Sequence, residues 1–311
     1  MVDPDIQRLL DTIFKAPSGL SAPDIAALRQ ATEEAPKLLG GEPAAVSSVD
    51  DVTVGTDTGH VVVRVYRPTA ATPLPLVLFA HGGGWVTGSL DSHDKLCRML
   101  ANRLPSIDVA VDYRRAPEDV FPAALDDYEE AWRWVRANAK ALGADGVRFI
   151  VAGDSSGGNL AAALTLRLRA NGAPQPDLQL LLYPALDAKH ARPSYREFAT
   201  GYNLAGEQMA WYWDVYRAGA APEAPELSPL AASDLSGLPR AVIAIAEADV
   251  LRDDAVDYAK ALQAAGVPTR VVLCAGMIHG FLRWSGAVPA ARRWIDSIAA
   301  SAREMLAQRS P

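Results

Sequence analysis

From residue 75 onward the chain repeats one pattern: a short, unbroken apolar run, then a stretch with helical spacing. The runs are PLVLFA (75–80), IDVAVD (107–112), VRFIVA (147–152), LQLLLY (178–183), RAVIAIA (240–246) and TRVVLC (269–274). A strand exposed on one face would alternate apolar and polar residues, so continuous runs point to strands buried on both faces, as in a parallel sheet. Helical patterns over 93–103, 122–141, 156–171, 252–265 and 286–308 follow or separate them, and strands alternating with helices predict an α/β fold with crossover connections. Two more strand candidates, 51–55 and 60–66, come first. Ahead of them lie two amphipathic helices, 3–15 and 21–38, the second with Ser21 as its N-cap candidate and Pro23 near its first turn. One segment breaks the rhythm. Residues 185–237, rich in Ala, Pro and aromatics, separate two strands and read as an insertion over one end of the sheet.

Composition narrows the function. A net charge of −7 over 311 residues, with no basic stripe, argues against nucleic acid or an anionic membrane as a partner. The two cysteines, Cys97 and Cys274, lack metal-ligand spacing and are expected to be buried, reduced thiols. No apolar stretch approaches a membrane span, and MVDPDIQRLL has no secretory pattern, so a cytoplasmic location is expected.

Three features carry chemistry. The first is GDSSGG (153–158), a G-x-S-x-G between the run VRFIVA and the helical NLAAALTLRL. A strand that turns directly into a helix forces a sharp, strained corner, and glycines on either side remove the side chains that would collide there. The apex residue, Ser155, is thus presented above the sheet end as a nucleophile. The second is HGGGW (81–85), directly after PLVLFA. Three glycines in succession suit a loop whose N–H groups aim at a developing oxyanion. Gly83, Gly84 and Ser156 are the expected donors, and His81 is read as pinning the loop by hydrogen bonding rather than as a base. The third is an acid and a histidine that each follow a late strand, Asp249 and His279. Asp253 and Asp254 rival Asp249 but fall where a helix begins, and they are expected to act as its N-terminal caps. His60, His93 and His190 are expected to be surface or packing histidines.

With HGGGW, YRRAPEDVFPAALDD (113–127), GDSSGG, DVLRD (249–253) and IHGF (278–281) in this order, the chain resembles the bacterial hormone-sensitive-lipase family of esterases, on its GDSAG-type branch. The resemblance covers nearly the whole chain. It implies an α/β-hydrolase fold: a mostly parallel eight-stranded sheet with helices on both faces and a helical cap. The cap would comprise residues 1–45 and 185–237, and the core residues 46–184 and 238–311. It implies Ser155 as nucleophile, His279 as base, Asp249 as the group that orients it, and an oxyanion hole of Gly83, Gly84 and Ser156. It also implies a small-molecule ester substrate, no cofactor and no metal. Family members often dimerise through the edge formed here by 269–274 and 286–308. Two positions depart from the family: Ser156 stands where Ala is usual and Val250 where Pro is usual. The backbone N–H survives at 156, and the added hydroxyl is a place where rate or substrate would differ. The sequence leaves open an amidase, lactonase or carbamate hydrolase with the same triad. A non-catalytic binding protein on this fold is the remaining alternative, and the presence of His279 speaks against it. Trp211, Tyr212 and Trp213 are candidates for lining a substrate pocket, with ordinary packing an equal alternative.

Overall fold

A computed structural model describes residues 1–14, 24–56 and 59–308. Ser21 and Pro23, proposed above to open the second helix, lie outside the described residues. So do residues 57–58, between the first two strands. The helix itself, α2 (Ile25–Leu39), begins after Asp24, whose carboxylate accepts from the N–H groups of Ala26 and Ala27. It follows α1 (Pro4–Thr12).

All eight expected strands form: β1 (Ser48–Thr56), β2 (Gly59–Arg67), β3 (Leu74–Ala80), β4 (Ile107–Asp112), β5 (Ala144–Asp154), β6 (Leu178–Leu182), β7 (Arg240–Ala248) and β8 (Thr269–Ile278). They build one sheet in the order β1-β2-β4-β3-β5-β6-β7-β8. β2 pairs antiparallel with both β1 and β4, and every other neighbouring pair is parallel. The burial follows the sequence pattern. Every residue of β3 and of β6 is buried, whereas β2 alternates along much of its length.

The connecting helices are α3 (Leu90–Arg103), α4 (Ala123–Leu142), α5 (Ser156–Ala170), α8 (Arg252–Ala264) and α9 (Pro289–Ala307). Crossovers between parallel strands are right-handed, so the direction of travel across the sheet decides the face. The step from β3 to β4 goes one way, and the steps β4 to β5, β5 to β6 and β7 to β8 go the other. Accordingly α3 packs with α9, and α4 packs with α5. The strand order therefore reverses at β3, between β4 and β5. In open α/β sheets a crevice opens at such a reversal, outside the carboxyl ends of the strands. HGGGW leaves β3 there, and GDSSGG leaves β5 beside it.

The 185–237 segment carries α6 (Ser194–Glu197) and α7 (Gly206–Arg217). Its anchorage corrects one expectation. Asp253 and Asp254 do not cap α8, whose N-cap is Leu251, without any side-chain capping bond. Both aspartates reach into the inserted segment instead. Asp253 accepts from the Ser194 N–H at 2.9 Å. Asp254, fully buried, accepts from the N–H groups of Leu186 and Asp187 and from the Tyr195 hydroxyl. Burial and the neighbouring Asp187 push the Asp254 carboxyl well above the usual carboxylate range. The first turn of a helix attracts acids whatever their purpose, and here the unpaired N–H groups of a neighbouring chain segment take precedence.

Both cysteines are buried and unbridged. No helix among the described residues is long and apolar enough to cross a membrane.

Candidate active site

Ser155 sits at the corner between β5 and α5 with φ 56° and ψ −119°. Such backbone costs about 1–3 kcal/mol in a non-glycine residue and persists only where its surroundings enforce it. Close packing enforces it here. A Cβ on Gly153 would lie 2.3 Å from the Gly157 carbonyl, and one on Gly157 would lie 1.9 Å from the Ala80 oxygen. The two glycines thus let the corner press against the end of β3. Gly157→Ala is expected to destabilise the protein by about 3 kcal/mol, the scale of overpacking against rigid backbone. The urea midpoint reads this, and a midpoint unchanged from the parent would show that the corner relaxes freely.

The three chemical residues meet. His279 Nε2 lies 2.9 Å from Ser155 Oγ, and His279 Nδ1 lies 2.7 Å from Asp249 Oδ2. The other Asp249 oxygen accepts from the Leu251 N–H at 2.9 Å, so the carboxylate is held at both ends. Asp249 is 1% exposed, which keeps water from competing for that bond. Tyr183 stands edge-on to the His279 ring, with centroids 5.1 Å apart, and the Asn203 amide donates to the His279 carbonyl.

The glycine loop is held from three sides. Gly83 and Gly84 have φ of +130° and +60°. A Cβ on Gly83 would meet the Thr87 carbonyl at 2.2 Å, and one on Gly84 would meet the Tyr212 ring of α7 at 2.3 Å. Trp85 stacks on Tyr216 at 4.4 Å and tilts against Trp213 at 4.4 Å, which fastens the loop to α7. From α2, Arg29 donates to the carbonyls of Val86 and Ala116 and pairs with Glu118. The N–H groups of Gly83 and Gly84 find no acceptor among the described residues. Ser156 opens α5, so its N–H has no acceptor within the helix.

His81 stacks on Tyr113, and its Nδ1 contacts the Gly82 carbonyl at 2.9 Å. The Tyr113 hydroxyl donates to the His81 carbonyl at 2.6 Å. Burial, and after it the neighbouring His93, push the His81 imidazole down to about 3. A ring that stays uncharged and lies in the loop packing fits the expected pinning role.

Sequence reasoning missed the pair beneath the loop. His93 is a buried packing histidine, but its Nε2 lies 3.1 Å from Asp154 Oδ1, and that same oxygen accepts from the Gly82 N–H at 2.7 Å. Burial by itself would raise the Asp154 carboxyl. The adjacent His93, the Arg283 charge and the Gly82 N–H outweigh it and hold the group at about 2. Asp154 therefore ties the loop after β3 to the serine corner after β5. Only its place beside Ser155 signalled this. His60 is exposed on β2 and His190 is half-buried against Tyr195. The 113–127 motif is structural as well: Arg114 grips Asp127 with its side chain and its N–H, while Tyr113 supports His81.

A cavity of about 240 Å³ opens above Ser155 and His279. Leu28 and Thr32 of α2 line it, as do Met209 and Tyr212 of α7. Of the three aromatic candidates only Tyr212 reaches it; Trp213 packs beneath, fully buried. Ser156 does not line the cavity, and its hydroxyl is buried. The departure at 156 therefore adds no polar group to the cavity wall.

Comparison with known proteins agrees with this arrangement. A family model described as alpha/beta hydrolase fold matches residues 77–283. The chain is 40% identical to the carboxylesterase NlhH of Mycobacterium tuberculosis over 93% of its own length and 92% of the relative's. It is 40% identical to an ethyl acetate hydrolase of Pseudomonas putida over 82% of each. Among solved structures, an ester hydrolase from the Lake Arreo metagenome superposes with a TM-score of 0.92 at 36% identity, covering 99% of both chains. The chain belongs to the hormone-sensitive-lipase-like esterase family of α/β hydrolases.

Proposed function

We propose that this chain is a carboxylesterase that hydrolyses short- to medium-chain acyl esters through an acyl-serine intermediate. The observation that carries this reading is the continuous hydrogen-bond chain Ser155–His279–Asp249 at the foot of a cavity bordered by Gly83 and Gly84. Ser155 Oγ attacks the ester carbonyl as its proton passes to His279 Nε2. Asp249 fixes the tautomer that leaves Nε2 free to accept, and it stabilises the imidazolium that results. The oxyanion is held by the N–H groups of Gly83, Gly84 and Ser156, with no reorganisation at the moment of reaction. Collapse expels the alcohol, which takes the proton from His279. Water then attacks the acyl-enzyme, again giving a proton to His279, and the second collapse releases the acid and restores the Ser155 hydroxyl.

In the same reading, residues 1–45 and 185–237 form a cap over the core segments 46–184 and 238–311. Support comes from α2 and α7, which line the cavity from the two segments assigned to the cap. A series of nitrophenyl esters from acetate to dodecanoate, with one anilide and one lactone, tests both statements. Highest kcat/KM is expected on the shorter esters, and preference for the anilide or lactone would replace the ester reading. Deleting residues 1–40 is expected to lower activity and shift the preferred acyl length. A folded truncation, judged by circular dichroism, with the parent's chain-length profile would show that these helices do not shape the pocket.

A homodimer through the β8 edge and α9 belongs to the same proposal. β8 is one of the two edge strands, and it exposes Val271 and Leu273 at 42% and 50%. An exposed apolar edge is the feature that a second copy would cover. Sedimentation is expected to give twice the mass of one chain, and a monomer at micromolar concentration would refute this part.

A further inference from the structure

One charged group in the cavity has no part in the chemistry above. Arg283 lines it, from the short turn Phe281–Trp284 that follows His279. Among the described residues its buried Nε and Nη1 find no hydrogen-bond partner, and no carboxylate lies within ion-pair distance of the guanidinium. That contrasts with the other buried or half-buried arginines near the site. Arg29 is paired with Glu118, Arg114 with Asp127 and Arg167 with Glu226. A guanidinium stays charged at any working pH, and burying one without an anion is unfavourable. Such an arrangement makes sense where a ligand supplies the anion.

Asp154, a carboxylate that also lines the cavity, is not paired with Arg283. Its Oδ1 is already shared by the Gly82 N–H and His93, and the Arg283 charge holds its carboxyl down without a hydrogen bond or ion pair between the two. The guanidinium shares one cavity wall with Ser155 and His279. Nη2 lies 3.5 Å from where a Cβ on Gly280 would stand, beside the residue that follows His279. The Asn203 amide nitrogen lies 3.8 Å from the same point, and Gln208 also lines the cavity. One fixed positive charge and two neutral amides share a small cavity with the serine and histidine. Donors of that kind, with a planar fork among them, match a carboxylate.

We propose that Arg283 forms an anion subsite and that the substrates this chain prefers are esters carrying a second, ionised carboxyl group. The proposal rests on the ester-hydrolase reading for the reaction, and deepens it by naming the substrate class. It treats Arg283 as a specificity residue and gives it no part in bond breaking.

Binding and turnover are measured separately, so the two readings fail separately. Calorimetry on the Ser155→Ala protein compares monoethyl glutarate with diethyl glutarate, and 3-acetoxypropionate with its methyl ester. The first pair places the charge on the acyl side and the second on the alcohol side. The anionic member of at least one pair is expected to bind about tenfold more tightly, the lower end for a hydrogen bond to a charged group. Adding Arg283→Gln should remove that preference, and Arg283→Lys should retain part of it. Equal affinity within both pairs, or a preference that survives Arg283→Gln, overturns the subsite. If the glutamine protein does not fold, a pH series on the Ser155→Ala protein decides. The preference must collapse as the probe's carboxyl is protonated, near about pH 4.3 for such a group, and a preference that persists below it overturns the proposal. Turnover of nitrophenyl acetate by the otherwise unaltered chain reads the ester-hydrolase proposal alone, and its absence leaves the binding result to stand or fall by itself.

Discussion

Ser155→Ala is expected to lower kcat by about a million-fold while leaving the fold in place, the scale on which loss of a triad serine acts. The size follows from the geometry. Oγ is the one hydroxyl within hydrogen-bond reach of His279 Nε2 among the described residues, so its removal leaves no atom to form the acyl intermediate. What survives is the oxyanion hole acting on water. The substitution also tests the fold separately from the chemistry. The strained φ of 56° belongs to the backbone, and the close packing of Gly153, Gly157 and Ala80 that surrounds it involves backbone rather than the Ser155 side chain. Alanine occupies the same corner, and near-parent circular dichroism and thermal midpoint are expected. Burst kinetics with nitrophenyl acetate measure the loss. A variant that keeps more than a few per cent of parent activity in a clean preparation would remove Ser155 from the role of nucleophile.

The sequence shows whatever local grammar records. Continuous apolar runs gave the strands of the buried sheet, because each such run has only one way to hide both faces. G-x-S-x-G and HGGGW were readable because a sharp corner and a close backbone approach require glycine, and glycine is visible. The order of Ser155, Asp249 and His279 placed each after a strand, and a sheet brings strand ends together without any help from side chains. What escaped depends on contacts between distant segments. Asp253 and Asp254 look like caps by position, yet they bind an inserted segment some 60 residues earlier. His93 gave no sign that it would meet Asp154, because that meeting needs α3 and the β5 corner to lie side by side. The serine at 156 suggested a change of rate or substrate, but its Oγ is buried away from the cavity. Arg283 has no motif of its own, since an unpaired charge is an absence of partners and absences are seen only in three dimensions.

Asp249→Asn is expected to reduce kcat by about 10⁴-fold, the effect of the same change in serine-protease triads. The Asp249 Oδ2 lies 2.7 Å from His279 Nδ1, so a carboxylate there requires Nδ1 to carry the hydrogen and leaves Nε2 as the acceptor facing Ser155. An amide can present its own N–H to Nδ1. The hydrogen then moves to Nε2, which can no longer take a proton from the serine. The Leu251 N–H bond to Oδ1 bears on which way the amide turns. Its oxygen best satisfies that donor, which directs the NH₂ group at His279 and favours the unproductive tautomer. The rival acid supplies the control. Asp253→Asn retains an oxygen for the Ser194 N–H and loses only the partly exposed pair with Arg252, so less than about a threefold change in kcat is expected. Comparing kcat for the two proteins against their urea midpoints separates chemistry from folding. If Asp253→Asn proves the more damaging while both proteins stay folded, Asp249 is not the orienting acid, and the 2.7 Å contact is no more than packing.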